Sequence, residues 1–147
     1  MEEAGDWPPV SVERFWGEKV DIKYAVKIVN TPLFASEIAY GDIVRVRPDH
    51  GRRELVFERL ISESEHSAVR VILTGVDVRA EVQELVSAAG CTWESGRFSS
   101  LLAIDIPAEA DYRALRQSLL GLKSAGKIGL QESAVSNVHR RQFESFP

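Results

Sequence analysis

The chain has 147 residues, of which 44% are apolar and 27% are charged, and its formal net charge is −4. This length suits one domain, or two very small ones that share a core. The single cysteine, Cys91, excludes an internal disulfide framework and a zinc site made of paired cysteines. No apolar run approaches the roughly 18 residues that span a bilayer, and the acidic start lacks the basic residues of a signal peptide. We therefore expect a soluble, cytoplasmic protein with no membrane partner.

Charge is distributed unevenly along the chain. Residues 1–66 hold 13 acidic against 9 basic residues, whereas residues 67–147 hold 9 of each. A dedicated nucleic-acid binder needs a basic field, so this distribution argues against nucleic acid as a partner. It favours an acidic face that could meet a basic partner.

The first half is predicted to be a small antiparallel β subdomain at residues 14–66, after a flexible N-terminal segment at residues 1–13. Apolar and polar residues alternate over residues 20–28, a period that predicts a half-buried strand. Alternation resumes in IVRVRP, and residues 43–61 are predicted to form a hairpin with its turn at residues 48–51. Three or four antiparallel strands should result, in a small β-barrel or a curled sheet.

The second half, residues 67–136, has the order strand, helix, strand, strand, helix, strand. This βαββαβ order is typical of ferredoxin-like domains, in which four antiparallel strands carry both helices on one face. The turn between the two middle strands could lie at Ser95-Gly96 or at Ser99-Ser100. Residues 137–147 show no clear pattern and are interpreted as a C-terminal tail. The predicted fold class is α+β, with the small β subdomain packed against the ferredoxin-like half.

Both helices of the second half are predicted from stripes at 3.6-residue spacing. The first should begin after a cap at Asp77 and end at Gly90, and the second should run over residues 110–124 and end at Gly126. The stripes consist of Val78, Val82, Leu85, Val86 and Ala89 in the first helix, and of Tyr112, Leu115, Leu119 and Leu122 in the second.

Three residues are the catalytic candidates: Asp42, His66 and Ser67. Asp42 follows Gly41 at a bend, where glycine permits a positive φ and aspartate bonds nearby backbone N–H groups, so a structural role is favoured. His66 and Ser67 lie where the halves meet, but neighbouring side chains on a strand point to opposite faces, and a structural histidine is favoured over nucleophilic chemistry. No motif for a metal or cofactor is present in the sequence.

Five residues are candidates for a partner-binding surface: Arg45, Arg47, Arg70, Trp93 and Glu94. Arg45 and Arg47 share one face of the hairpin and could meet a phosphate or an acidic partner, although a solvated face is the simpler interpretation. Arg70 could instead join His66 in a polar cluster. Cys91 is expected to be a small buried hydrophobic residue.

Several short motifs resemble an uncharacterised bacterial family, domain of unknown function 4265. They are TPLFASEIAYGDIV, with Pro32 and Phe34, then EHSAVRV, and then AAGCTWES followed by LLAIDIPAEADYRAL. The resemblance spans about residues 14–135. The family segment before the second-half strand resembles Gly-His-Ser-Thr, an apolar residue and arginine; His66, Ser67 and Arg70 match it, while Glu65 and Ala68 replace the glycine and the threonine. The resemblance implies the fold and supplies no activity.

Three classes of function are compatible with these observations. The favoured hypothesis is a non-catalytic partner-binding protein, most concretely a bacterial immunity-type protein that neutralises a cognate toxin. The second is a regulatory module, in which the ferredoxin-like half binds a small ligand or forms a homodimer through its sheet. The third is an enzyme that uses His66, Ser67 and Asp42.

Overall fold

The computed structural model describes residues 13, 15–33, 35–95 and 99–144. Within them the chain is a mixed α+β protein with two four-stranded antiparallel sheets and three helices. The predicted flexible segment lies outside the described residues except for Glu13, as do Phe34 of the family motif and Gly96 of the first turn alternative. The first sheet contains β1 (Gly17–Lys19), β2 (Ala25–Ile28), β3 (Ile43–Asp49) and β4 (Glu54–Ser62). The second half contains β5 (Ser67–Leu73), α1 (Val76–Ala88), β6 (Thr92–Glu94), β7 (Leu101–Ile106), α2 (Tyr112–Ser124), β8 (Ile128–Ala134) and α3 (Asn137–Phe143).

The first sheet has the order β1-β2-β3-β4 and is open, since β1 and β4 do not pair within the described residues. The predicted barrel is therefore not confirmed, whereas an antiparallel sheet and the β3-β4 hairpin are confirmed.

The prediction of one strand over residues 20–28 is wrong. The chain turns before Tyr24, which has a φ of 61°, and only β2 of that stretch pairs with β1 and β3. Alternation continued through the turn because a period of two does not reveal where pairing stops.

The second sheet has the order β6-β7-β5-β8, and every neighbouring pair is antiparallel. One face of β5 and β7 packs with α1 and α2 in the main apolar core. All four residues predicted for the α2 stripe are buried, and Gly90 and Gly126 both have a φ of 77°. The cap prediction for α1 is wrong, since Gly75 is the N-cap and Asp77 lies in the first turn.

A short helix, α3, forms where the sequence showed no pattern. Ser136 caps it by accepting a hydrogen bond from the backbone N–H of His139, and His139 is its buried side chain. α3 has only seven residues, too few for an apolar stripe to repeat, so periodicity could not reveal it.

The two halves meet along a seam formed by the segment between β2 and β3. The backbone N–H of Glu37 donates to the carbonyl of Ser133 in β8 at 2.7 Å, and the N–H of Thr31 donates to the Glu94 carboxylate at 2.6 Å. These bonds fix the loop against the second sheet. No helix in the described part of the chain is long and apolar enough to cross a membrane.

Candidate functional site

A cleft of about 540 Å³ lies at the seam, between the ends of the first sheet and the β8 strand. Six of the fourteen described residues that line it are ionisable: Glu37, Asp42, Glu63, His66, Glu132 and Arg140. Glu37 and Glu63 are exposed, as is Arg140, so the rim carries more negative than positive charge. Two of the catalytic candidates, Asp42 and His66, line this cleft.

Asp42 is held by backbone donors at the floor of the cleft. Its Oδ2 accepts a hydrogen bond from the N–H of Ala39, and its Oδ1 accepts one from the N–H of Ser64, both at 2.9 Å. The preceding Gly41 has a φ of 88°, which a side chain would make costly. Burial raises the pKa of Asp42, and the two N–H donors partly offset that effect. The carboxylate thus ties the entry of β3 to the exit of β4.

His66 pairs with Asp105, a residue that the sequence analysis did not single out. The His66 Nδ1 lies 2.7 Å from the Asp105 carboxylate, and the imidazole ring packs at 5.5 Å from the ring of Tyr40. Burial raises the pKa of Asp105, and the hydrogen bond from His66 works against that rise. A carboxylate at Nδ1 orients the ring, as in metal and catalytic sites. Within the described residues Nε2 has no hydrogen-bond partner, so it is the nitrogen available to a ligand.

Ser67 lies in a separate buried network with His139. The Ser67 hydroxyl is 2.5 Å from the His139 Nδ1, and the His139 Nε2 is 2.9 Å from the carbonyl oxygen of Pro107. A carbonyl only accepts, so Nε2 carries the proton and Nδ1 accepts from Ser67. Burial lowers the pKa of His139, which keeps the ring neutral. Both side chains have 0% exposure, so this serine–histidine pair is closed to substrate and fastens α3 to β5.

The three catalytic candidates are therefore only partly brought together. Asp42 and His66 line the same cleft and are linked through Ser64, whose hydroxyl accepts the backbone N–H of His66 at 3.1 Å. Ser67 faces away from them, toward His139. Within the described residues, no group of three or more His, Cys, Asp or Glu side chains is placed to hold a metal ion.

Glu132 closes the β8 side of the cleft and is itself paired. Its carboxylate accepts from the Arg116 guanidinium at 3.0 Å and from the Tyr112 hydroxyl at 2.5 Å. Burial alone would raise the pKa of Glu132, but these two donors outweigh it and the pKa is lowered. The charge of Glu132 is thus balanced within the protein, whereas Glu37 and Glu63 stand exposed at the rim.

The hairpin arginines lie on the outer face of the first sheet. The Arg45 Nε is 3.2 Å from one oxygen of Glu58, and the Arg47 Nε is 3.8 Å from the other. Pairs this exposed contribute little to stability, and Glu58 neutralises part of the basic surface predicted there.

The other partner candidates are used inside the fold. Arg70 is 1% exposed, and its guanidinium donates to the carbonyls of Leu33 and Ala35, so it does not reach the surface. Trp93 is half-buried against the main core, and the exposed Glu94 accepts from the seam loop.

Cys91 is buried, as expected of a small hydrophobic residue, and burial raises the pKa of its thiol to about 11.

Sequence reasoning missed Asp105, His139 and the rim carboxylates Glu37 and Glu63. Asp105 was detectable as the one charged residue in the apolar run LLAIDI. His139 lies three residues after a serine that caps its helix, a local signal of a helix start. The rim carboxylates had no distinguishing local pattern.

Comparison with known proteins identifies the family. The family model "Domain of unknown function (DUF4265)" matches residues 13–130, so the chain belongs to this family, as the motifs indicated. A solved structure described as a hypothetical protein from Neisseria gonorrhoeae is similar in fold, with a TM-score of 0.71 and 17% identity over 83% of this chain and 82% of that chain. At this identity the likeness concerns the fold alone. No curated protein matches the sequence.

Proposed function

We propose that this member of an uncharacterised family is a non-catalytic partner-binding protein, most concretely a bacterial immunity-type protein that binds and neutralises a cognate toxin in the cytoplasm. The observation that carries the proposal is the cleft at the seam. Exposed carboxylates of Glu37 and Glu63 stand at its rim, while Asp42 and His66 below them are held by hydrogen bonds within the protein. A surface fixed in this way loses little entropy when a partner docks.

The contacts of the catalytic candidates favour binding over catalysis. The Ser67 hydroxyl is fully buried and bonded to His139, so it is not placed to attack a substrate in the cleft. Both oxygens of Asp42 already accept backbone N–H groups, which leaves this carboxylate poorly suited to take a proton from a substrate.

Charge supports a basic partner. The first 66 residues carry a net charge of −4 from 13 acidic and 9 basic residues, and the rim carboxylates belong to this half. Opposite charge on a partner speeds encounter and disfavours wrong partners. A toxin with a basic active site would be covered by such a surface.

We also propose a more specific fold for each half of the chain. We take the second half to be ferredoxin-like, supported by the βαββαβ order, by the sheet order β6-β7-β5-β8 and by the packing of both helices on one face. The first half is then a curled sheet that provides one wall of the cleft.

A co-expression assay tests the proposal. The gene adjacent to this one is expressed under an inducible promoter in bacteria, with or without this protein, and growth is followed. We expect the neighbouring product to arrest growth and this protein to restore it. The double variant Glu37→Gln/Glu63→Gln should protect less than the wild type. In calorimetry, the purified variant should bind the neighbouring gene's product at least tenfold more weakly than the wild type does, because losing two charges should cost about 1.4 kcal/mol of binding free energy.

A matched control removes two exposed carboxylates elsewhere, Glu18 in β1 and Glu84 in α1. Glu18→Gln/Glu84→Gln changes net charge by the same amount and should protect like the wild type. If both double variants protected equally well, the cleft carboxylates would not be the surface that binds the toxin. A neighbouring gene of ordinary metabolic type, with no effect on growth, would contradict the immunity role itself.

One observation favours the regulatory-module alternative. The cleft volume of about 540 Å³ lies within the range of small-molecule sites, roughly 300–1,000 Å³. A thermal-shift screen against metabolites distinguishes the two, because a ligand that binds only the folded state raises Tm, and the rise grows with ligand concentration. A hit abolished by Glu37→Gln/Glu63→Gln would favour this alternative.

A further inference from the structure

The outer edge of β4 is the longest unpaired strand edge in the described part of the chain. β4 has nine residues and stands at the end of the order β1-β2-β3-β4. An unpaired edge presents free N–H and C=O groups to any strand that can align with it. Proteins protect such edges with charged side chains, proline, bulges or a covering element. The β4 sequence ELVFERLIS contains no lysine or proline, and its protection is limited to a bulge and its charged residues, Glu54, Glu58 and Arg59.

β4 is also unusually apolar for an exposed strand. Four of its large apolar side chains are accessible: Leu55 at 58%, Phe57 at 42%, Leu60 at 38% and Ile61 at 36%. Accessible apolar side chains on a free edge mark an interaction surface.

The register with β3 determines which way these side chains point. Phe57 lies opposite Val46 and Leu60 opposite Val44, and both valines are buried, so Phe57 and Leu60 share the inner face. Arg59 lies opposite Arg45 on the outer face.

Glu58 has no partner residue in β3, because the register shifts by one at this point. Its carboxylate bonds Arg45, so it lies on the same outer face as Arg59. In a regular strand, residues 57 and 60 would point to opposite faces. The extra residue of the bulge brings them to one face.

Only one antiparallel register of β4 with itself satisfies both faces. When Glu58 lies opposite Arg59 of the second copy, Phe57 lies opposite Leu60, so opposite charges meet on the outer face and apolar side chains meet on the inner face. A shift by one residue in either direction places Glu58 against Glu58, or Arg59 against Arg59. Cross-strand pairs of opposite charge stabilise a sheet, and like charges directly opposite destabilise it.

We propose that two copies of this chain pair through the outer edges of β4, antiparallel about a two-fold axis, with Phe57 opposite Leu60 and Glu58 opposite Arg59 of the second copy. The two first sheets then join into one eight-stranded sheet. Leu60 also lines the cleft, but the pairing depends on β4 alone and does not rest on the proposed function. A single strand pair buries less surface than a standard stable interface, so we expect dissociation in the micromolar range.

Sedimentation equilibrium over a concentration series tests the proposal. The wild type should pass from the mass of one chain to twice that mass as concentration rises. Arg59→Glu places two carboxylates opposite each other at both contacts and should raise the dissociation constant roughly tenfold or more. Because Arg59 already faces Arg45 within the chain, this variant should not lose monomer stability.

The control is Arg113→Glu, which makes the same change of charge at an exposed position in the first turn of α2 and should dimerise like the wild type. The swap Glu58→Arg/Arg59→Glu restores opposite charges and should recover dimerisation. Should the swap fail to fold because Arg45 and Arg47 lose their carboxylate, disulfide trapping tests the register instead. Phe57→Cys and Leu60→Cys proteins mixed under oxidation should cross-link to each other faster than either does alone.

Three results would overturn the proposal. The first is a wild type that remains monomeric up to about 1 mM, far above the dissociation constants of specific interfaces. The second is a dimer that Arg59→Glu and Arg113→Glu weaken equally. The third is trapping of like pairs in preference to the mixed pair.

Discussion

Replacing Asp42 with alanine should lower the free energy of unfolding by about 3 kcal/mol, because the buried N–H of Ala39 and the partly buried N–H of Ser64 lose their acceptor. The carboxyl group is 1% exposed, and each of its oxygens takes one N–H, from Ala39 and from Ser64. The carboxylate ties the start of β3 to the end of β4, so its loss should also loosen that contact.

The magnitude follows from the cost of unsatisfied groups. Each buried donor left without an acceptor costs about 1–3 kcal/mol, so two cost about 2–6 kcal/mol, a large part of the roughly 5–15 kcal/mol that stabilises a typical domain. Asp42→Asn keeps the volume but offers one acceptor and sets an NH₂ donor against the second N–H. We therefore expect Asp42→Asn to lose about 2 kcal/mol, which separates hydrogen bonding from packing.

Urea denaturation at neutral pH, followed by circular dichroism, measures these changes. Asp21→Ala, at an exposed position in the turn between β1 and β2, serves as the control and should change the free energy of unfolding by less than about 0.5 kcal/mol. If Asp42→Asn lowered the free energy of unfolding by less than about 0.5 kcal/mol, the two N–H bonds would not be what joins the start of β3 to the end of β4.

Three further changes probe the core and the buried pairs. Burial lowers the pKa of His139 below its ordinary 6.5, so the unfolded chain binds a proton first, and the stability that the neutral ring contributes is complete above pH 6.5 and lost as the pH falls. Urea titrations should show a steeper acid loss for the wild type than for His139→Gln, and parallel curves would speak against a buried neutral ring. The Cys91 thiol, with a pKa of about 11, should alkylate slowly in the folded protein and faster in urea, whereas rapid labelling of the native protein would contradict its burial. Leu119→Ala, at a fully buried position in α2, should cost about 2–5 kcal/mol in the same unfolding assay, and a loss below 1 kcal/mol would mean that α2 packs loosely.

The second half could be predicted well because its signals are local. The α2 stripe from Tyr112 to Leu122 and the left-handed glycines after both helices depend on neighbouring residues alone. The first half was harder, because alternation over residues 20–28 is as compatible with a hairpin as with a strand. The positive φ at Tyr24, a residue that seldom adopts it, had no sequence signal.

In the candidate site, too, the local contacts could be predicted and the long-range contacts could not. The bond from the Ala39 N–H to the Asp42 carboxylate could be anticipated, since it spans three residues. The pairing of His66 with Asp105 spans 39 residues and that of Ser67 with His139 spans 72, so both depend on how β5 docks with β7 and α3. A single sequence carries no information on such contacts.

The hydrogen bonds of β8 support the proposal that the cleft is a preformed binding surface. The carbonyl of Ser133 holds the N–H of Glu37, and the Ser133 hydroxyl donates to the carbonyl of Ala68 in β5. On the preceding residue, Glu132 is fixed by Arg116 and Tyr112 of α2. The rim therefore connects to the main core through hydrogen bonds at successive residues, and moving Glu37 would require breaking them. A partner would meet carboxylates whose backbone is already in place, which favours rigid docking over closure around a reacting substrate.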